Sequence, residues 1–161
     1  MNELIAGLSH PLHGGDHLLA MLAVGFWGAR YAGPSRWVLP CAFVGFTWVG
    51  ALPGVQLPHV EPMIALSVLV LGLASAIATR LPVAAGAAVV ALFAVFHGHA
   101  HFMELAAGAA WGPYVAGMVL ATALLHAAGM GLALGLGRLR AWLPRSLGAA
   151  TALAGAWMLV S

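Results

Sequence analysis

Long apolar segments, separated by short connections rich in Gly, Pro and polar residues, dominate the chain. A helix that crosses a bilayer needs about 20 predominantly apolar residues. The segments that meet this requirement run from about His10 to Tyr31, Trp37 to Leu57, Pro62 to Thr79, Pro82 to about His101, Pro113 to Gly137, and about Leu143 to Ser161. We therefore predict an all-α integral membrane protein, with six transmembrane helices in one compact domain over residues 1–161.

The composition supports a lipid environment. Of the 161 residues, 63% are hydrophobic and 6% are charged, whereas about a quarter of the residues of a soluble domain are charged. So little polar surface cannot cover so apolar a core, and we expect the lipid bilayer to be its solvent. The chain has no Lys and only scattered Arg. Nucleic-acid binding requires a basic cluster, so we expect no nucleic-acid partner.

The charged residues are sorted between the two sides of the predicted bundle. The arginines fall in alternate connections, namely Arg30 and Arg36 in the first, Arg80 in the third, and Arg138, Arg140 and Arg145 in the fifth. The positive-inside rule assigns that side to the cytoplasm, which places both termini outside. All acidic residues and all histidines except His126 fall toward the outer side. This sorting indicates capture of a metal ion from outside, followed by inward movement.

A first group of candidate ligands lies in the sequence HPLHGGDH at the start of the first predicted span. Helical periodicity predicts His10, His13 and His17 on one face, with Asp16 at its edge and Met21 one turn further. A carboxylate inside a spanning helix costs about 3 kcal/mol, so it needs a partner or a water-filled cavity. Imidazole and carboxylate together suit nickel, cobalt, zinc or copper. The alternative is a set of interfacial histidines with Asp16 as their counter-charge.

A second group lies in the sequence FHGHAHFME at the end of the fourth span. If this segment is helical, His97, His101 and Glu104 share one face and form a candidate metal-binding set. His99 then lies about 200° away and faces headgroups or another helix. Gly98 is the point at which the helix could break, and a break there would turn His99 inward. The alternative is a polar loop at the membrane surface.

A weaker pattern follows the fifth span, where Met118, Thr122, His126 and Met130 recur every fourth residue. Such a stripe predicts an accessory, deeper part of a metal path. The residues assigned to that accessory path are His13, Met21, His126 and Met130. The alternative is a histidine bonded to a neighbouring helix among methionines that fill the core. Neither Cys41 nor any serine lies in a nucleophile motif, so we predict that the chain is not an enzyme.

The two histidine groups together resemble the HupE/UreJ family, the nickel permeases associated with hydrogenases and ureases. The family's first-helix motif stands here as His10, five residues, then Asp16-His17, and its fourth-helix motif runs from Phe96 to Glu104. Phe102 occupies a position where that family usually has Gly. The segment ATALLHAAGMGLAL around His126 is similar in style as well.

This resemblance implies a multi-pass protein of the bacterial cytoplasmic (inner) membrane. It implies uptake of Ni²⁺, with Co²⁺ as an alternative, as a transported substrate and with no permanently bound cofactor. The residues that inherit metal roles are His10, Asp16, His17, His97, His101 and Glu104. His13 and His99 fall at variable positions of the motifs.

Two other functions compete with metal transport. A small b-type haem protein would use membrane histidines as axial ligands of iron and would show visible absorbance. An intramembrane zinc hydrolase would need three ligands and a general base, but the chain lacks the Glu beside the first His of the zinc-protease motif. The histidines crowd at one end and accompany carboxylates, which favours a divalent ion.

Overall fold

The computed structural model describes residues 3–52, 54–77, 81–103 and 110–161, and within these ranges all regular secondary structure is helical. The helices are α1 (Glu3–Ser9), α2 (Gly15–Gly28), α3 (Val38–Gly50), α4 (Val60–Ala76), α5 (Val83–Met103), α6 (Trp111–Leu139) and α7 (Leu143–Met158). Short 3-10 helices cover His10–Leu12 and Gly33–Trp37. The predicted all-α class is confirmed.

Two helices, α5 and α6, are long and apolar enough to cross a membrane by length and composition. The helix α4 is apolar but shorter. Each of the six predicted segments overlaps one of the helices α2 to α7. Several of these are shorter than predicted. The 13 residues of α3 extend about 20 Å, against a hydrocarbon core of about 30 Å. The six spans therefore stay a prediction.

The predicted continuous helix from His10 is wrong. The backbone forms a 3-10 helix over His10–Leu12, Gly14 is extended (φ −102°, ψ 117°), and α2 begins at Gly15. The ring of Pro11 removes a backbone donor at this point, and the extended Gly14 ends the turn. His10, His13 and His17 therefore do not lie on one continuous helical face. The residues before His10, predicted as a tail, form α1.

Neighbouring helices approach closely at glycines. An added Cβ on Gly7 would collide with the backbone of Tyr114, and one on Gly98 with the backbone of Thr47. Glycines make the same kind of contact where α2 meets α6 (Gly25, Gly129), where α3 meets α5 (Gly50) and where α4 meets α7 (Gly72, Gly148, Gly155). Small residues allow such close approach. The chain has 21 glycines, and from the sequence we predict packing faces at Gly86, Gly117, Gly129 and Gly148. The close contacts at these four glycines confirm that prediction.

Side-chain hydrogen bonds join several helix ends at the arginine side of the bundle. Arg30 Nη2 donates to the carbonyl of Ser75 at the end of α4, at 2.9 Å, and the Tyr31 hydroxyl donates to the carbonyl of Leu81 just before α5, at 3.1 Å. Arg80 lies outside the described residues. The described arginines thus occupy the end of the bundle opposite to the start of α2, where the histidines lie.

The aromatic pair Trp48 and Trp111 lies at the histidine end. Trp48 is two residues from the end of α3, and its ring centroid lies 5.3 Å from that of Trp111 at the start of α6. Both rings are partly exposed. Because α3 ends at Gly50 and not at Leu57 as predicted, Trp48 lies near the end of its helix and not in the middle of a span. Both rings suit an aromatic belt at the outer interface.

Candidate metal centre

The break at Gly14 places Asp16 and His17 in the first turn of α2. The Asp16 Oδ1 accepts hydrogen bonds from the His17 backbone N–H at 2.7 Å and from the His17 ring at Nδ1, 2.9 Å away. A Cβ on Gly14 would lie 2.8 Å from that oxygen, so glycine leaves room for the pair. Because an ionised carboxylate only accepts, Nδ1 carries the hydrogen and Nε2 keeps a lone pair. That Nε2 is buried, with no hydrogen-bond partner in the described parts of the chain.

The histidines of α5 lie on an unbroken helix. Since α5 continues through Gly98 to Met103, His97 and His101 are one turn apart, and their exposed fractions are 0% and 2%. His99 is buried as well, and its backbone nitrogen lies beside Gly50 of α3. His99 therefore faces a neighbouring helix. This was one of the two predicted environments, the other being the lipid headgroups. The anticipated break at Gly98 does not occur.

Four imidazole rings meet where α2 and α5 face each other. The ring centroid of His17 lies 4.8 Å from that of His97 and 4.7 Å from that of His101, and the centroid of His10 lies 4.8 Å from that of His101. We call His10, His17, His97 and His101 the histidine cluster. It unites four of the predicted ligands, and Asp16 adjoins it through His17. Glu104, also predicted as a ligand, lies outside the described residues.

A cavity of about 320 Å³ borders this cluster, and we call it the outer cavity because the predicted orientation would turn it outward. Its lining consists of His10, His13, Gly14, Asp16, His17 and Glu61. At about 30 Å³ per water molecule, this volume exceeds that of a divalent ion's first hydration shell of about six waters. Glu61, in the first turn of α4, was not among the predicted ligands. The only signal for it in the sequence is an acidic residue close to His59. His13, predicted as accessory, is exposed at the rim.

The other three accessory residues, Met21, His126 and Met130, are buried inside the bundle. Phe43 is 1% exposed, and its ring centroid lies 5.2 Å from that of His97 and 5.2 Å from that of His126. His126 is buried, and neither of its ring nitrogens has a hydrogen-bond partner among the described residues. Met21 and Met130 are buried too, and the Thr122 hydroxyl donates to the sulfur of Met21 at 3.6 Å.

Beyond Phe43, His126 lines a second, largely apolar groove of about 340 Å³ between α3 and α6. The groove reaches Trp37 and Pro40, at the arginine end of α3. The ring of Phe43 therefore contacts both His97 of the histidine cluster and a deeper histidine that borders this groove.

The histidine cluster is not a closed coordination sphere. Within the described ranges, no three His, Cys, Asp or Glu side chains have their ligand atoms arranged around one metal position. The rings meet edge to face or tilted. The χ2 torsion of histidine is broad, so these rings are not held in one orientation by the torsion itself. The buried nitrogens that have no hydrogen-bond partner among the described residues include His17 Nε2, His97 Nδ1 and both nitrogens of His101.

The haem alternative finds no support. A porphyrin bound by two axial histidines needs a flat slot between their rings. In the cluster, His17 contacts both His97 and His101 directly, with centroids less than 5 Å apart. The contacting rings leave no such slot.

Comparison with known proteins bears on the same residues. The family described as HupE / UreJ protein matches residues 1–158. The chain is 45% identical over 160 residues to protein HupE of Rhizobium leguminosarum bv. viciae, an alignment that covers 97% of this chain and 84% of that protein. No solved structure matches the chain significantly. A family match over nearly the whole length, which includes both histidine motifs, shows that this chain belongs to the HupE/UreJ family.

Proposed function

We propose that the chain is a membrane permease that takes up a divalent transition-metal ion, Ni²⁺ with Co²⁺ as the alternative, through the histidine cluster. Membership of the HupE/UreJ family suggests an accessory protein related to nickel or cobalt transport. The observation that carries the proposal is the spacing of the three buried imidazoles of His17, His97 and His101, each of which has a ring nitrogen without a hydrogen-bond partner in the described chain.

The spacing agrees with the geometry of metal coordination. With a metal–nitrogen distance of about 2.1 Å, two imidazoles at neighbouring positions of one ion have ring centroids about 4.5–5.2 Å apart. The centroids in the cluster are 4.7–4.8 Å apart. Leaving a buried nitrogen without a partner costs about 1–3 kcal/mol. A metal ion that binds several of these nitrogens removes that cost.

Asp16 acts on the ion through His17 in this proposal. The carboxylate holds the His17 Nδ1–H at 2.9 Å and leaves Nε2 to face His97 and His101. The second ring N–H of a metal-binding histidine commonly donates a hydrogen bond to a carboxylate, which orients the ring and makes it a stronger ligand. The negative charge also offsets part of the charge of the cation.

The cavity and the deeper residues supply a route. A hydrated ion enters the outer cavity beside Asp16 and Glu61, exchanges water for the imidazoles of the histidine cluster, and passes Phe43 to reach His126. Both termini lie outside, and six spans enclose this route. Imidazole suits Ni²⁺ and Co²⁺ alike, so the ligand set alone does not separate these ions.

Uptake by purified protein tests the proposal. The full chain is reconstituted into liposomes, and uptake of radiolabelled nickel is measured with Co²⁺, Zn²⁺ or Mn²⁺ as competitors. We expect uptake above that of empty liposomes, with strong competition by Co²⁺ and weak competition by Mn²⁺. The matched control is the His17→Ala, His101→Ala double variant. Wild-type uptake no faster than in empty liposomes would refute the proposal.

A further inference from the structure

Among the described residues, Ser67 of α4 is the one whose side chain forms a hydrogen bond with His97. It has an exposed fraction of 0%, and its Oγ lies 3.0 Å from His97 Nε2. The same Oγ lies 2.6 Å from the backbone carbonyl oxygen of Ile64, one turn earlier in α4. A lone serine in an apolar helix gives no signal of such a role in the sequence.

The position of the hydroxyl hydrogen follows from these distances. A carbonyl oxygen only accepts hydrogen bonds, and two oxygens 2.6 Å apart repel each other unless a hydrogen lies between them. The single hydrogen of Ser67 therefore points at Ile64. The contact with His97 must then use the hydrogen of His97 Nε2, with Ser67 Oγ as the acceptor.

We propose that Ser67 is a positioning residue that fixes the tautomer and the orientation of His97, so that Nδ1 is the nitrogen that binds the metal. The inference rests on the proposed function. His97 Nδ1 is buried and has no hydrogen-bond partner in the described ranges, which agrees with a lone pair held ready for an ion. His17 is fixed in the opposite sense, with Nδ1 bound to Asp16 and Nε2 free.

The two fixed tautomers are complementary. His17 approaches from α2 and presents Nε2, whereas His97 approaches from α5 and presents Nδ1, and their centroids lie 4.8 Å apart. Partners that orient metal ligands in this way contribute about 10- to 100-fold in metal affinity. Ser67 therefore makes α4 a third helix of the site, although it offers the ion no ligand of its own.

Two substitutions of equal shape isolate the hydroxyl. Thr and Val at position 67 add the same methyl group to a buried position, but only Thr retains an oxygen. Isothermal titration of Ni²⁺ into the purified full chain in detergent micelles should give near-wild-type affinity for Ser67→Thr and an affinity about 10- to 100-fold weaker for Ser67→Val. Ser75→Ala, which alters a buried serine two turns further along α4, should bind like the wild type.

The tautomer is observable directly, without any change at Ser67. Nitrogen NMR of the metal-free chain labelled at histidine should show a protonated Nε2 and an unprotonated Nδ1 for His97, whose signals are identified by their loss in His97→Asn. Addition of Ni²⁺ should perturb the unprotonated signal first. A protonated Nδ1 at His97 would overturn the inference. This measurement needs no variant at position 67, so it decides the question even if neither Ser67→Thr nor Ser67→Val folds.

The outcomes separate this inference from the proposed function. If the wild type binds no Ni²⁺, the metal-transport proposal fails, and so does the functional role of Ser67. If the wild type binds Ni²⁺ and Ser67→Val binds it as tightly as Ser67→Thr, the role of Ser67 is wrong while the transport proposal stands. Weaker binding by Ser67→Val alone, together with the expected tautomer, supports both.

Discussion

Each histidine ring has two distinct nitrogens, and its use as a ligand depends on which of them carries the hydrogen. The sequence identifies which residues are histidines but not which nitrogen faces an ion. At His17 the choice is made by the residue before it in the chain, Asp16. At His97 it is made by Ser67, thirty residues away in sequence. A local pattern could suggest the first of these contacts and had no means of suggesting the second.

Replacement of Asp16 by Asn should abolish uptake while the protein still reaches the membrane. Asn keeps the size of the side chain but loses the negative charge that holds His17 and offsets the cation. Nickel uptake into proteoliposomes, compared at equal protein content, measures the effect. Glu3→Gln removes an acidic residue of α1 that does not line the outer cavity, and should leave uptake unchanged. Near-normal uptake by Asp16→Asn would exclude this residue from the site.

Among the histidines of α5, uptake should depend on His97 and His101 and not on His99. The first two contact His17, so His97→Ala and His101→Ala should each lower uptake more than tenfold, as should Glu104→Ala on the strength of the sequence motif. His99 is buried beside α3, so His99→Ala should weaken folding more than transport. A severe uptake defect at His99 beside a mild one at His101 would contradict this assignment.

At the scale of the helices, the apolar segments predicted where helices occur but not where they bend or end. Almost every residue in these segments is apolar, so the pattern does not mark a change of backbone direction. Gly14 and Gly54 are two positions at which the backbone changes direction without a mark in the apolar pattern. The first is extended and separates a 3-10 helix from α2, and the second has a left-handed φ of 86° beyond the end of α3. Glycine adopts either conformation at little cost.

The helix α1 was missed for a different reason. Its seven residues are too few to form a stable helix in isolation, so a reading of the local sequence favours a tail. Its stability comes from contact with α6, where Gly7 packs on Tyr114 and Gly117 packs on Leu4. That partner lies at the other end of the sequence. The histidine cluster was easier to predict, because its motifs are compact and rich in residues rare in membrane helices.

Two glycines of α3 offer a matched test of helix packing. A Cβ at Gly50 would collide with the carbonyl of Val95 in α5, whereas a Cβ at Gly45 meets nothing within 4 Å. Gly50→Ala should therefore lower the free energy of unfolding by about 1–3 kcal/mol or more. Gly45→Ala should raise it by about 0.5–1 kcal/mol, because alanine is the better helix former. Unfolding in mixed micelles measures both. Equal stability of the two variants would contradict the close α3–α5 contact.

At the scale of the whole molecule, the sorting of arginines and histidines to opposite ends predicts the orientation in the membrane. If the arginine end is cytoplasmic, both termini lie outside. A reporter that works only outside the cytoplasm should then be active when it is fused after Ser161 and inactive when it is placed beside Arg138. A reporter that works only in the cytoplasm should give the opposite result at both positions. If only the cytoplasmic reporter is active after Ser161, an even number of spans with this orientation is ruled out.

The ring of Phe43 has a consequence for proton conduction. A row of imidazoles passes protons along only if each ring can donate to the next, and a phenyl ring neither donates nor accepts. Because Phe43 contacts both His97 and His126, it occupies a position from which an imidazole could connect these two histidines. Phe43→His should therefore make proteoliposomes lose an imposed pH gradient faster than the wild type, as reported by an internal pH-sensitive dye. Phe43→Leu, which provides no such link, should keep the gradient as the wild type does.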